Sequence, residues 1–435
     1  MTGEDRDQRR SAALRIIVAG DGPWYSGDVL QGHVEFATDY HSEDININLE
    51  GTLRSWMFQG DPEVDDPHEE TVEHQVGQPP SLKMLFAYRY IRLNGNEQLL
   101  SMIFMPCDGD NDNEYLPPVN GGGDCGVHCT AFYFQIPHTL PSPVLSPCPR
   151  FLLLPPSMSE GRQFIDPVKH KLYMQPLILY TIKAQVLYRK RKDADTQLST
   201  VTAEREVDLF PRTGFYPPCA VEDFPDDFRF TATAAMKRFP WPRALGIMEV
   251  SAVEPDPVLL PDSREPSALS SCTLSLSFTF DPARPDVQSR YFTMLRCHVE
   301  CELRSKTYTA LRPMEKVPDK QALSSDKRIY LRSGVTQLQG QDLLLNEWHR
   351  ASGGRESEKE SEAPPSGLSR LASSLNMPIP IPGDLTPEFL HRYSARLYAL
   401  VIRVRFPDFS HKPFKLEVPL QVVCPQNEPD LMFVN

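Results

Sequence analysis

The sequence predicts an all-β protein made of two antiparallel, immunoglobulin-like β-sandwiches joined by a short hinge. Three observations carry that prediction. Of 435 residues, 42 are proline, nearly twice the usual share of about 5 per cent, and so many residues without a backbone N–H argue against helices. Almost wherever a period is legible it is two, with apolar and polar residues alternating, the pattern of a strand with one wet face. Turn-rich segments separate these strands, as in antiparallel sandwiches; strands of parallel sheets are apolar on both faces.

Along the chain, the first unit is YSGDVLQGHVEF, residues 25–36, where Gly27 and Gly32 are expected to supply backbone angles denied to residues with a Cβ. In DININLEG, Ile45, Ile47 and Leu49 share a face opposite Asp44, Asn46, Asn48 and Glu50. Further inward rows are Ile178, Tyr180, Ile182, Ala184 and Val186; then Cys272, Leu274, Leu276, Phe278 and Phe280; then Leu295, Cys297, Val299, Cys301 and Leu303. Near the end, Ile402, Val404 and Phe406 oppose Arg403 and Arg405, and Leu416, Val418, Leu420 and Val422 oppose Lys415, Glu417 and Gln421. Helical periodicity is scarce. Short helices are expected at Gln341–Arg350 and Thr386–Arg392, the second with Thr386 as N-cap and Pro387 at the first helical position.

Residues 107–126, rich in Asp, Asn and Gly, and 353–367, GGRESEKESEAPPSG, read as loops too poor in apolar residues to order themselves. The boundary is placed at Pro211–Pro218, with about two hundred strand-rich residues on either side. The expected organisation is a tail at 1–13, a sandwich at 14–211, a hinge at 212–223, a sandwich at 224–424 carrying the 353–367 insert, and a tail at 425–435.

A net charge of −13 argues against a nonspecific nucleic-acid binder, which needs a surplus of Lys and Arg on at least one face. Leu14–Val18 is too short for a signal h-region or a membrane span, and Thr2 stands where N-myristoylation requires glycine. With nine dispersed cysteines the expectation is reduced thiols in the cytoplasm.

These residues carry a family resemblance. YSGDVLQGHVEF followed by INLEG resembles the arrestin amino-terminal signature, in which an aromatic, a Gly-Asp turn and a second Gly introduce a strand. FYFQIPHTLPSP resembles the family's Phe-rich strand and Leu-Pro turn, and LYTIKAQVLYR the strand that closes that domain. MLRCHVECELRSKTY, IPIPGDLTPEFLHRYSARLYALVIRV and FKLEVPLQVV are similar to strands of the carboxy-terminal arrestin domain. The match runs in order from about residue 14 to 424 and is most similar to alpha-arrestins of filamentous fungi. Gly27, Asp28, Gly32, Gly51, Pro387 and Pro419 are its signature positions, read as structural.

The resemblance implies a non-enzymatic cytoplasmic adaptor, recruited to plasma membrane or endosomes, that binds cytoplasmic regions of membrane transporters or receptors and links them to ubiquitylation, endocytosis or signalling. A vesicle-coat or endosomal sorting scaffold is the alternative use of the same fold. Alpha-arrestins commonly recruit a HECT-type ubiquitin ligase through Pro-Pro-x-Tyr segments. Here the residues two beyond the five Pro-Pro pairs are Leu82, Asn120, Met158, Ala220 and Gly367, so a ligase would have to be engaged indirectly or by another surface.

Two segments are candidate binding elements. Arg189, Lys190, Arg191 and Lys192 place four adjacent cations at the end of a strand, a candidate phosphate or anionic-lipid patch and hence a peripheral membrane contact; the same charges also serve simply to discourage edge pairing. Leu431, Met432, Phe433 and Val434 form an apolar terminus, a candidate docking tail that would add a strand to the first sandwich.

No cofactor, catalytic residue or metal ligand is expected. Cys297 and Cys301 flank His298, but residues four apart on a strand sit about 13 Å from each other and His298 faces the other way. Cys125, His128 and Cys129, with Cys107 nearby, form a Cys-x-x-x-Cys without a second knuckle; a metal-dependent enzyme built on the 107–129 loop is the rival from another class. Asp108, Asp110 and Asp112 open like a calcium loop, yet its sixth and twelfth positions are Asn113 and Val119. HEETVEH at 68–74 has Val72 where a zincin needs its second histidine. The chain has no Gly-x-Ser-x-Gly elbow and no Walker loop.

Overall fold

The computed structural model describes residues 14–37, 40–55, 81–91, 127–138, 153–165, 172–190, 198–213, 228–238, 241–262, 269–284, 294–310, 314–326, 329–350, 370–391 and 393–425. Within them the protein is all-β, in mostly antiparallel sheets with short parallel pairs. The chain divides into two compact units, Met1–Arg212 and Thr213–Asn435, inside the Pro211–Pro218 stretch.

The first unit contains β1 (Leu14–Val18), β2 (Trp24–Tyr25), β3 (Val29–Ala37), β4 (Tyr40–Ser55), β5 (Ser81–Ile91), β6 (Val127–Gln135), β7 (Met158–Ile165), β8 (Leu172–Lys190), β9 (Ser199–Val207) and β10 (Leu209–Phe210); β11 (Arg212–Thr213) spans the division. One sheet has the order β1-β3-β6, the other β5-β4-β8-β7 with β9 also on β8. Along one side of β8, β7 pairs residues up to Ile178 and β9 takes over at Tyr180. The sheets meet through Phe36 of β3 and Val186 of β8, both buried, with Leu14, Ile45, Tyr188 and Val201 around them. The rings of Phe36 and Tyr188 are 5.6 Å apart.

The first corner uses its two glycines differently. Gly27 has φ +92°, a conformation costly for any residue with a Cβ, and its N–H donates to the Ile136 carbonyl at 2.8 Å. Asp28 closes the turn by accepting the Tyr25 N–H at 2.8 Å on its carboxylate. Gly32 has no left-handed backbone; what it needs is space, because a Cβ there would overlap the Ile17 carbonyl oxygen and stand 2.8 Å from the Phe132 ring. The expectation of special angles at both positions is therefore right for Gly27 and corrected for Gly32. Gly51, buried in β4, sits where the β4–β5 register shifts.

The second unit contains β12 (Thr231–Arg238), β13 (Trp241–Ala252), β14 (Val258–Leu259), β15 (Leu269–Pro282), β16 (Leu295–Ala310), helix α1 (Lys320–Ser325), β17 (Ile329–Gln337), β18 (Gln341–Leu345), β19 (His349–Arg350), β20 (Leu371–Pro382), β21 (Phe389–His391), β22 (Ser394–Arg405), β23 (Phe414–Leu420) and β24 (Val422–Pro425). One sheet runs β12-β13-β15-β20-β19; the other is centred on β16 and β22, with β17 and β18 successively on β16 and β21 and β23 on β22. The predicted inward rows of β15, β16, β22 and β23 are buried and interdigitate between the sheets. Phe406 stands edge-on to Phe278 at 6.1 Å and to Phe414 at 5.8 Å. Cys272, Cys297 and Cys301 are among these core residues. Burial pushes the Cys301 thiol up to about 12 and those of Cys272 and Cys297 to about 11, so they behave as inert small hydrophobes.

Both expected helices are strands. Gln341–Leu345 lies antiparallel along the start of β16, Leu345 opposite Leu295 and Gln341 opposite Val299, and His349–Arg350 pairs with β20. Phe389–His391 pairs with β22, and the chain before it is fixed by other means: the Thr386 carbonyl accepts the Tyr398 hydroxyl at 2.6 Å, and the Glu388 N–H donates to Val422 at 2.7 Å. Backbone pairing offered by neighbouring strands outweighs local helical preference. The described helix lies elsewhere, capped by the Asp319 carboxylate, which accepts the Ala322 N–H at 2.7 Å. The final strand breaks at Gln421, so Val422 does not continue the β23 row; it opens β24, which pairs in parallel with β14.

On β20, Met377, Ile379 and Ile381 are buried while Pro378, Pro380 and Pro382 occupy the alternate positions, opposite Thr273, Ser271 and Leu269 of β15. In an antiparallel ladder alternate residues direct N–H and C=O to opposite neighbours. The three prolines therefore withhold their missing donors from the side away from β15, where the Gln341 amide caps the Pro378 carbonyl at 3.2 Å.

Candidate functional site: charged sheet faces

The even-numbered residues of β16 from Arg296 to Arg304 point away from the sandwich core and meet polar side chains of β17, β18, β22 and β23. Arg403 of β22 grips Glu302 with both guanidinium nitrogens, the second at 3.0 Å, and Gln337 of β17 donates to the same carboxylate at 2.9 Å. Arg304 reaches across β22 to both carboxylate oxygens of Glu417 on β23, at 2.7 and 2.8 Å. His298 lies 2.7 Å from Asp342 of β18 and 3.5 Å from Glu300; Arg405 approaches Glu300 at 3.7 Å, and Arg296 pairs with Asp408 at 2.8 Å. The face is charged but internally neutralised, as alternation of Arg and Glu across strands at cross-strand spacing produces. Further along the same face the covering changes. Tyr308 and Ala395 are buried under Met314, Val317 and Leu323, and Lys306 lies 5.9 Å above the Phe228 ring.

Glu302 is the most enclosed member, with 9 per cent of its side chain exposed. The Arg403 hydrogen bonds, then that from Gln337, hold its carboxyl below the usual carboxylate range. A carboxyl lowered on folding stabilises the native state fully above its unfolded value, about 4.3, and loses that contribution as pH falls through the folded value. Glu302→Gln is accordingly expected to cost about 1–2 kcal/mol at pH 7. The gap from the parent should narrow progressively as pH falls below the unfolded value; urea midpoints between pH 7 and the acid limit measure it, and a pH-independent gap would contradict the assignment.

In the first unit, Arg189 and Lys190 end β8 in register with His41 and Tyr40 of β4, past the last β9 partner at Tyr188–Ser199. Arg191 and Lys192 lie outside the described residues, as do Leu431, Met432, Phe433 and Val434, Cys107, Cys125, the Asp108–Asp112 and His68–His74 stretches, and the 353–367 insert. Of the signature positions, Pro387 is buried just before β21 and Pro419 is buried in β23 opposite Ala399.

Cys129 proves to be on a strand, directly opposite Glu35 in the β3–β6 register. With His33 it forms a group that sequence reasoning missed. The imidazole Nε2 is 3.6 Å from the Glu35 carboxylate, and one donor atom from each of His33, Glu35 and Cys129 lies within 4.8 Å of the others. The available signal was His-x-Glu inside YSGDVLQGHVEF, since residues two apart on a strand share a face; the third member could come only from strand pairing.

Among the described residues no helix is long and apolar enough to cross a membrane. Comparison with protein-family models and with curated proteins finds no match to this chain.

Proposed function

We propose that the protein is an arrestin-like, non-enzymatic adaptor that binds cytoplasmic regions of membrane transporters or receptors and links them to ubiquitylation, endocytosis or signalling. The observation that carries the reading is the ordered set of arrestin-like segments, from the YSGDVLQGHVEF corner to FKLEVPLQVV, each falling on β3, β4, β6, β8, β16, β20–β22 or β23–β24. Such strands present broad polar faces to partners. The adaptor works at the cytoplasmic side of plasma membrane or endosomes, with a HECT-type ligase engaged indirectly or by a surface other than Pro-Pro-x-Tyr.

Crosslinking in cells followed by affinity capture of the tagged full-length chain with its membranes tests this. Transporters or receptors recovered with a ligase are expected; a fixed coat or sorting assembly in constant stoichiometry overturns the adaptor in favour of a scaffold. For the basic end of β8, neutralising Arg189, Lys190, Arg191 and Lys192 together is expected to lower sedimentation with phosphatidylserine vesicles about tenfold or more at low salt, at roughly 1 kcal/mol per cation near an anionic surface. Unchanged sedimentation would leave those charges as a strand end and nothing more.

A further inference from the structure

We infer that His33, Glu35 and Cys129 form a binding site for a thiophilic divalent cation of the zinc class, on the outward face of the β1-β3-β6 sheet. The inference rests on the geometry of the first unit and is independent of the adaptor reading. Three different ligand types converge there: an imidazole nitrogen, a carboxylate oxygen and a sulfur, all within 4.8 Å of one another. Glu35 and Cys129 are direct cross-strand partners, and His33 is displaced from Glu35 by one strand repeat, so all three project from one face. The inward face beneath is occupied by Val34, Phe36, Phe132 and Phe134, which fixes the backbone that carries the ligands.

Tetrahedral zinc with bonds of about 2.0–2.3 Å places its ligand atoms roughly 3.3–3.7 Å apart. The His33–Glu35 pair is already at 3.6 Å, and the sulfur lies within 4.8 Å of both donor atoms, a gap that side-chain rotation on ion binding has to close. The donor set selects the ion: sulfur and imidazole disfavour calcium and magnesium, which take oxygen ligands. Three protein ligands leave the fourth position to water or to a group from outside, as in open zinc sites, and the exposure of Cys129 provides the approach. Arg15 stands opposite Glu35 on β1 and offsets part of the negative charge that a deprotonated Cys129 and Glu35 supply.

The test is titration of the reduced, metal-free full-length protein with Co²⁺, followed by displacement with Zn²⁺ against a chromophoric chelator. One equivalent of Co²⁺ showing sulfur-to-metal charge-transfer absorption is expected, abolished in Cys129→Ser and weakened at least tenfold in His33→Gln and in Glu35→Gln. His33 and Glu35 are surface residues, so these two variants keep the test decisive if Cys129→Ser fails to fold. Absence of the absorption in the parent, its persistence in Cys129→Ser, or its persistence unchanged in His33→Gln and Glu35→Gln, overturns the site; persistence in Cys129→Ser would assign the sulfur ligation to other cysteines of the chain.

Discussion

Gly32→Val is expected to destabilise the first unit by about 3 kcal/mol or more, the upper range for overpacking a site that cannot relax. Side chains yield to an added methyl by changing rotamer; a carbonyl in a strand ladder does not. The new Cβ would meet the Ile17 carbonyl oxygen, the Phe132 ring and, at 3.0 Å, the Val18 Cα, so β1 must detach from β3 or the ladder must bend. Amide exchange in Leu14–Val18 should rise with the loss of stability, since these residues pair with Phe36–Gly32. Gly20→Ala is the control. Gly20 has φ +85° but nothing within 4 Å of a built Cβ, so its cost is backbone strain alone, about 1–2 kcal/mol. Equal costs for the two variants, by urea denaturation, would remove the distinction between a glycine kept for space and one kept for angle.

Phe406→Ala is expected to cost about 3–5 kcal/mol, the lost transfer energy of a buried ring plus the cavity it leaves. Phe406 is 1 per cent exposed and sits between the sheets of the second unit, edge-on to Phe278 and Phe414. Its neighbourhood resists collapse because the backbone is pinned there: the Phe406 N–H donates to His411 Nε2 at 3.0 Å, and His411 Nδ1 lies 2.7 Å from the Lys412 carbonyl. Phe406→Leu fills most of the volume and should recover more than half of the loss. A Phe406→Ala cost below about 1.5 kcal/mol in equilibrium denaturation would falsify the view that this ring joins the two sheets.

The strands were legible in the sequence where one face is core and the other is water, as in β15, because burial alone then dictates alternation. Legibility failed wherever a distant segment changes the surroundings. Thr307, Tyr308, Thr309 and Ala310 are buried on both faces of β16, since residues 314–326 lie over the outward side, and no local pattern announces that cover. Gln341–Leu345 contains good helix formers, yet the opening residues of β16 offer it a complete backbone partner. α1 has six residues and no buried position, too short to show a period; only Asp319, three residues before Ala322, hinted at a cap. The charged face was half visible: the alternating Arg and Glu of β16 and β22 could be read, whereas the pairing of Arg304 with Glu417 requires three strands in register. His33, Glu35 and Cys129 likewise become neighbours only when β3 and β6 align.

The proline row of β20 bears on how that strand would meet a strand from another molecule. An open strand edge is a template on which another chain can hydrogen-bond, and it is the usual starting point of sheet-to-sheet aggregation. At Pro378, Pro380 and Pro382 three successive donor positions of that edge are chemically blank, so an incoming strand would find acceptors without donors. Replacing these prolines could leave the inward Ile and Met row intact and the fold unchanged, and yet convert the edge into an adhesive one. The prolines thus work against added strand pairing along this stretch, while the ladder to β15 stays continuous from Leu269 to Phe280.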